Sequence, residues 1–313
     1  MTSSLGGDTP AVARQRVRRW LRQARGEADL TQTDLAQRLG WSLSKVQRME
    51  TGEVAVSETD LRATVELYGV TDLDLVATLV KDARLARRER WTTSAEYRRY
   101  LTVGLRRLLQ FEAVATKIRV YQPILIPGVL QTPAMADHIL GERGTILNED
   151  ERRVRFEVRM RRRADLIERP DAPEYYLVLD ESVILRIFGG TRLAAEQLEH
   201  LAEVATRPKV FIRIIPLEQS QGAAIRMSGT FVVMNLGDDD ADGAVLYREL
   251  FTADHIDHDP EKIRSYRNAF EELWKLSLPE DASLRLIRAK AADLRARLDR
   301  PSAIVENNPP LRP

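Results

Sequence analysis

Apolar residues recur every three or four positions through roughly the first third of the chain, and every second position in several later segments. The first pattern predicts helices, the second half-buried strands. Residues 11–68 read as several short helices joined by tight turns, and residues 72–91 and 94–116 as two longer helices rich in Arg, Leu and Ala. The period changes at Lys117-Ile118-Arg119-Val120-Tyr121, an alternating strand stopped by Gln122-Pro123. Further strands are predicted at 175–179, Val210–Ile215, 230–234 and 244–247. Later helices are predicted over 132–140, with Thr132 as N-cap and Pro133 in the first turn, and over 148–168, 191–205, 260–276 and 279–298.

This change of period divides the chain. It places a helical head at 11–80, a helical connector at 81–117, a mixed domain at 118–280 and a terminal helix at 281–298. The first ten residues and the proline-bearing tail at 299–313 are polar and are expected to be disordered. The fold class is therefore α+β overall, an all-α N-terminal domain followed by a mixed α/β domain.

Composition narrows the possible chemistry. A length of 313 residues suits two domains, and 43% hydrophobic with 30% charged residues is a globular balance. No apolar run reaches the roughly 18 residues of a membrane span, so no membrane partner is expected. The absence of cysteine excludes disulfides, thiolate metal sites and a catalytic thiol, and the expected place of action is the cytoplasm. A net charge of +1 means that any affinity for nucleic acid must come from local patterning.

Such patterning occurs between Leu30 and Gly52. Thr31 can cap a helix starting at Gln32, whose inner face carries Leu35, Ala36 and Leu39. Gly40 ends that helix and Ser42 caps the next, on which Val46 and Met49 point inward. Leu43, Ser44, Lys45, Gln47 and Arg48 are left outward. Two short helices about a glycine turn, with an outward face of Ser, Lys, Gln and Arg, make a helix-turn-helix. Arginine can bond guanine bidentately, and glutamine adenine, in the major groove of double-stranded DNA. Six arginines of the first helix, from Arg14 to Arg25, read mainly as a solvated or ion-paired face, Arg25 excepted.

Residues 11–70 resemble the Cro/C1-type (XRE) helix-turn-helix family through Leu30-Thr31-Gln32, Leu35-Ala36, Leu39-Gly40, Ser42, Val46, Arg48 and the Glu50-Thr51-Gly52 that follows. The resemblance implies a lambda-repressor-like head. It implies phosphate contacts from Arg25 and Gln32, backbone contacts from Ser42 and Lys45, and base-edge contacts from Ser44, Gln47 and Arg48. Leu43 departs from the family's usual polar residue and offers an apolar contact to a thymine methyl.

The larger part is similar to the regulatory domain of antitoxin-like actinobacterial helix-turn-helix regulators. The likeness is carried by Gln122-Pro123-Ile124-Leu125-Ile126-Pro127-Gly128, Arg159-Met160-Arg161-Arg162-Arg163, Leu179-Asp180-Glu181-Ser182, Gly229-Thr230-Phe231 and Ile263-Arg264-Ser265-Tyr266-Arg267. It implies a regulator often encoded beside a small partner protein, and no substrate, cofactor or catalytic residue.

Four constellations outside the head stand by themselves. Asp180-Glu181 after a strand reads first as a helix cap, and Gly189-Gly190 as a turn. Asp254-His255-Ile256-Asp257-His258-Asp259 has the residue types of a metal site, but helix capping accounts for Asp259. The arginines of 148–168 read first as paired within their own helix with Glu149, Glu151, Glu157 and Asp165, and otherwise as lining a pocket for an anionic ligand or gripping an acidic partner. No catalytic, cofactor-binding or metal residue is assigned, no cofactor is expected and the chain is read as no enzyme. The expected function is a homodimeric, sequence-specific transcriptional regulator whose C-terminal domain senses a small-molecule effector or a partner protein. The alternatives are an antitoxin-like protein that mainly binds a small protein partner and, weakest, an enzyme with a DNA-targeting head.

Overall fold

The computed structural model describes residues 10–50, 54–86, 95–142, 147–170, 172–236, 244–249 and 254–299. The expected disorder of the leader and tail lies almost wholly outside these residues.

The head is built from α1 (Pro10–Glu27), α2 (Gln32–Leu39), α3 (Leu43–Glu50), α4 (Glu58–Leu67) and α5 (Leu73–Ala86). Val17 and Leu21 of α1, Met49 of α3, Leu61 of α4 and Leu79 of α5 meet in one small core. An ion pair ties α1 to α5, with Arg16 reaching both carboxylate oxygens of the buried Asp82 at 2.7 and 2.6 Å. Of the helix predicted over 72–91, residues 87–91 lie outside the described ones.

The single helix expected over 94–116 is instead two, α6 (Ala95–Tyr100) and α7 (Val103–Glu112). Thr102 breaks it. Its backbone is extended and its hydroxyl accepts the Leu105 N–H at 3.1 Å, so a capped new helix replaces a continued one.

Behind the head lies one six-stranded sheet of β1 (Lys117–Gln122), β2 (Glu174–Asp180), β3 (Val210–Ile215), β4 (Phe231–Asn235), β5 (Ala244–Arg248) and β6 (His255–Asp257). The spatial order is β3-β2-β1-β4-β5-β6, and β1 to β3 run parallel while β4, β5 and β6 add antiparallel. The strand β6 was not legible in sequence, because three residues on a sheet edge show no period.

Side chains alternate between the two faces of this sheet. Ile118, Leu177, Ile212 and Met234 enter one core, and Tyr121, Val178, Ile215 and Phe231 the other. The second face is covered by α13 (Pro260–Leu276), through Ile263, Phe270 and Leu273. The first is covered by α7, by α11 (Thr191–Val204) and by α14 (Glu280–Leu298). Ile287, Ala291 and Leu294 make α14 part of the sheet's core rather than an appendage. Beside that core run α8 (Pro133–Glu142) and α9 (Glu149–Arg163), the latter continued by a π-helical turn over Ala164–Glu168. Two short helices, α10 (Glu181–Leu185) and α12 (Ala223–Arg226), follow β2 and β3.

Head and sheet meet where α1 approaches α7 and the turn after β6. There the His258 ring stands edge-on to Phe111 of α7, with centroids 5.6 Å apart. Its Nδ1 is out of contact with water and has no hydrogen-bond partner among the described residues. Burial, and then the nearby charges of Arg18, Arg107 and Arg22, push its pKa down to about 3. Below the ordinary histidine value of about 6.5 the unfolded chain gains a proton that the folded chain refuses. Stability contributed by neutral His258 is therefore whole above that value and falls as the pH drops towards 3. Between pH 7 and pH 5 the loss is up to about 2 kcal/mol. A His258→Phe variant should show a flatter melting temperature over that range, and parallel curves for the two proteins would contradict the assignment. In the sheet's core, Leu294→Ala should lower stability in urea by about 2–5 kcal/mol, whereas an α14 that merely trails the domain would lose almost nothing.

Candidate nucleic-acid interface

The helix-turn-helix is set by its caps. Thr31 and Asp34 form a reciprocal box, the Asp34 N–H donating to the Thr31 hydroxyl at 3.1 Å and the Thr31 N–H to the Asp34 carboxylate at 2.8 Å. Gly40 ends α2 at φ 65°, a left-handed conformation that suits glycine. The Trp41 N–H then returns to the Ala36 carbonyl at 2.8 Å, and the Ser42 hydroxyl caps α3 by accepting the Lys45 N–H at 3.2 Å. Leu35, Ala36 and Val46 close the seam between the two helices.

At the far end of α3 sits a carboxylate that sequence reasoning passed over. Glu50 is buried. It accepts Nε and a terminal nitrogen of Arg25 at 2.6 and 3.0 Å, and the Gln32 side-chain amide at 2.8 Å. Arg25 also donates to the Leu30 carbonyl at 2.8 Å. One acidic side chain thus joins the end of α1, the start of α2 and the end of α3. The Arg25 pKa is raised, first by its hydrogen bond with Glu50. The signal for this clamp was Glu50 in the Glu50-Thr51-Gly52 motif, a charge on a face otherwise carrying Val46 and Met49.

The expected site residues fall into two groups. Ser42, Leu43, Ser44, Gln47 and Arg48 are exposed together along α3. Arg48 lies along its own helix, its Nε 3.3 Å from the Ser44 carbonyl. The other three, Arg25, Gln32 and Lys45, have partners inside the head. Lys45 donates to Asp60 at 2.6 Å and lies 3.9 Å over the Trp41 ring, tying α3 to α4. An open depression of about 570 Å³, lined by Arg25, Thr31, Gln32, Leu43 and Gln47 among others, brings the first turns of α2 and α3 side by side.

Elsewhere the tempting clusters have structural employment. Asp180 caps α10 through the Ser182 N–H at 3.1 Å and holds Arg226 at 2.6 Å. Glu181 accepts the Leu217 N–H at 2.8 Å, and the left-handed Gly189 and Gly190 turn the chain into α11. The 254–259 run is dispersed: Asp254 holds Tyr247, Asp257 holds Lys262, Asp259 caps α13, and His255 is exposed while His258 lies against Phe111. The α9 arginines depart from the expected pairing within their helix. Arg153 does pair there, with Glu157 at 3.1 Å. Arg152 crosses to Asp137 at the surface, and Arg159 crosses to Gln131 and Arg162 to Glu112 because these two positions face neighbouring elements.

Removing the Glu50 carboxylate should cost the head an acceptor for two side chains at once. Glu50→Ala is expected to destabilise it by about 1–3 kcal/mol, with Glu50→Gln recovering part, read from thermal melts. Wild-type melting of the alanine variant would contradict the clamp.

Comparison with known proteins finds two matches along the chain. Residues 16–79 match a helix-turn-helix domain, and residues 105–289 match a domain of unknown function (DUF5753). No curated protein and no solved structure matches the chain. The helix-turn-helix marks a DNA-binding regulator, and among the described residues no helix is long and apolar enough to cross a membrane. With more than half of its length covered by that second match, the chain belongs to the family of the domain of unknown function DUF5753.

Proposed function

We propose that the protein is a sequence-specific transcriptional regulator of the Cro/C1 type, acting in the cytoplasm on double-stranded DNA as a homodimer. Its C-terminal domain senses a small molecule and sets the affinity of the head. The observation that carries this reading is the exposed row Ser42, Leu43, Ser44, Gln47 and Arg48 on a helix anchored at its far end by Glu50. Arg48, Gln47 and Ser44 read base edges and Leu43 meets a thymine methyl. Ser42 and Lys45 touch the sugar-phosphate backbone, and Arg25 and Gln32 offer phosphate the donors that Glu50 leaves over. One short recognition helix reads too few base pairs, which favours a two-fold dimer on a palindromic site.

A second reading has an observation of its own. Ile124, Ile187, Leu217 and Met227 are exposed apolar residues in the connections that follow β1, β2 and β3, Met227 at 86% of its surface. Such a cluster favours docking of a small protein partner, as in the antitoxin-like regulators of actinobacteria.

The test is to select an operator from random duplexes with the full-length protein, and then to compare Arg48→Ala on it. The variant should bind about 1–3 kcal/mol more weakly and relax its preference at one position per half-site. Equal affinity and unchanged preference would sink the assignment of α3 to the major groove.

A further inference from the structure

Between α7, α9 and the first face of the sheet lies a cavity of about 460 Å³. Protein interiors are close-packed, and a space of this size is the scale of a small-molecule site rather than of a packing fault. Part of its wall is aliphatic: Leu105 and Leu108 come from α7, Val158 from α9, and Val120 and Val232 from the sheet.

One side of the cavity is different. Arg155, Arg159 and Arg162 follow one another at four- and three-residue spacing on α9 and all line it. Arg162 is neutralised, its guanidinium bonding both oxygens of the buried Glu112 at 2.8 and 2.6 Å. Burial pulls its pKa down, but Glu112 more than restores it, so the net shift is upward. Arg159 gives an N–H to the uncharged Gln131 amide at 2.7 Å. Arg155 makes no ion pair among the described residues, and its Nε is buried without a hydrogen-bond partner. Besides Glu112, two carboxylates line the cavity, and neither forms an ion pair with Arg155. Asp254 already accepts from Tyr247 at 3.0 Å and from Thr102, and Glu249 is exposed on the rim.

We propose that this cavity binds a small organic anion. A carboxylate or similar head sits at Arg155, and an apolar body lies against Leu105, Leu108 and Val120. A guanidinium fork is the group that pairs a carboxylate with two parallel hydrogen bonds, and an aliphatic wall rewards burial of a hydrocarbon body. The proposal rests on the reading of this domain as a sensor, and it gives that sensor a route to the head. The helix α7 lines the cavity through Leu105, Leu108 and Glu112, and through Phe111 it also touches His258 beneath α1. A ligand that shifts α7 acts directly on the contact between the two parts.

The probes are decanoate and decan-1-ol, the same chain with and without the charge, titrated calorimetrically into the full-length protein below their aggregation limits. Decanoate should bind once per chain and decan-1-ol at least tenfold more weakly. Arg155→Met, which keeps the apolar stem and removes the fork, should weaken decanoate at least tenfold and leave decan-1-ol unchanged. Equal binding of the two probes, indifference of decanoate to Arg155→Met, or no saturable binding of decanoate would each overturn the proposal. Should Arg155→Met fail to fold, Val232→Phe fills the cavity and should abolish decanoate binding, and retention of binding would overturn the site. Operator binding is measured on the same protein without ligand. Its absence there would count against the regulator reading alone, and its presence without decanoate binding against the cavity alone.

Discussion

The carboxylate of Glu50 is almost out of contact with water at the end of α3, and an ionised group there is tolerated only if its charge is met. Arg25 meets it with two parallel hydrogen bonds and Gln32 with a third. That requirement joins the end of α1, the start of α2 and the end of α3, alongside the caps and the seam of Leu35, Ala36 and Val46. A helix of eight residues is marginal alone in water, so its orientation has to be supplied by its neighbours. The clamp supplies it at one end and the Lys45–Asp60 pair with Trp41 on its flank.

The same economy governs the second part of the molecule. A sheet with apolar residues on both faces must be covered twice, and α7 belongs to one of the covers. Because α7 also approaches α1, the sheet's cover doubles as the seat of the head. Glu112 and Arg162 extend the pattern, a charged pair held inside by mutual bonding at the edge of a cavity. Both parts thus place charge where water does not reach and satisfy it across elements far apart in sequence.

Local features were legible from the residues. The Thr31 cap, the Gly40 turn, the inward Leu35, Ala36, Val46 and Met49, and the strands over β1 and β3 rest on neighbours within a few positions, which a sequence displays. Features that depend on distant partners were not. Glu50 needs Arg25, Glu112 needs Arg162, and β6 exists only because β5 offers it an edge. Thr102 shows an intermediate case. Threonine is an ordinary residue within a helical pattern, and only the turn of the chain there reveals it as the start of α7. The α9 arginines misled for a related reason, since carboxylates at helical spacing were visible whereas Gln131, Asp137 and Glu112 were not visibly near.

The central claim is that the exposed face of α3 enters the major groove. Methylation interference on an operator selected with the full-length protein tests it directly, because dimethyl sulfate marks guanine N7 in the major groove and adenine N3 in the minor groove. Guanine N7 methylation should block binding in two patches about one helical turn apart, with minor-groove methylation there tolerated. Blockage by adenine N3 methylation alone, with guanine N7 marks tolerated throughout, would contradict it.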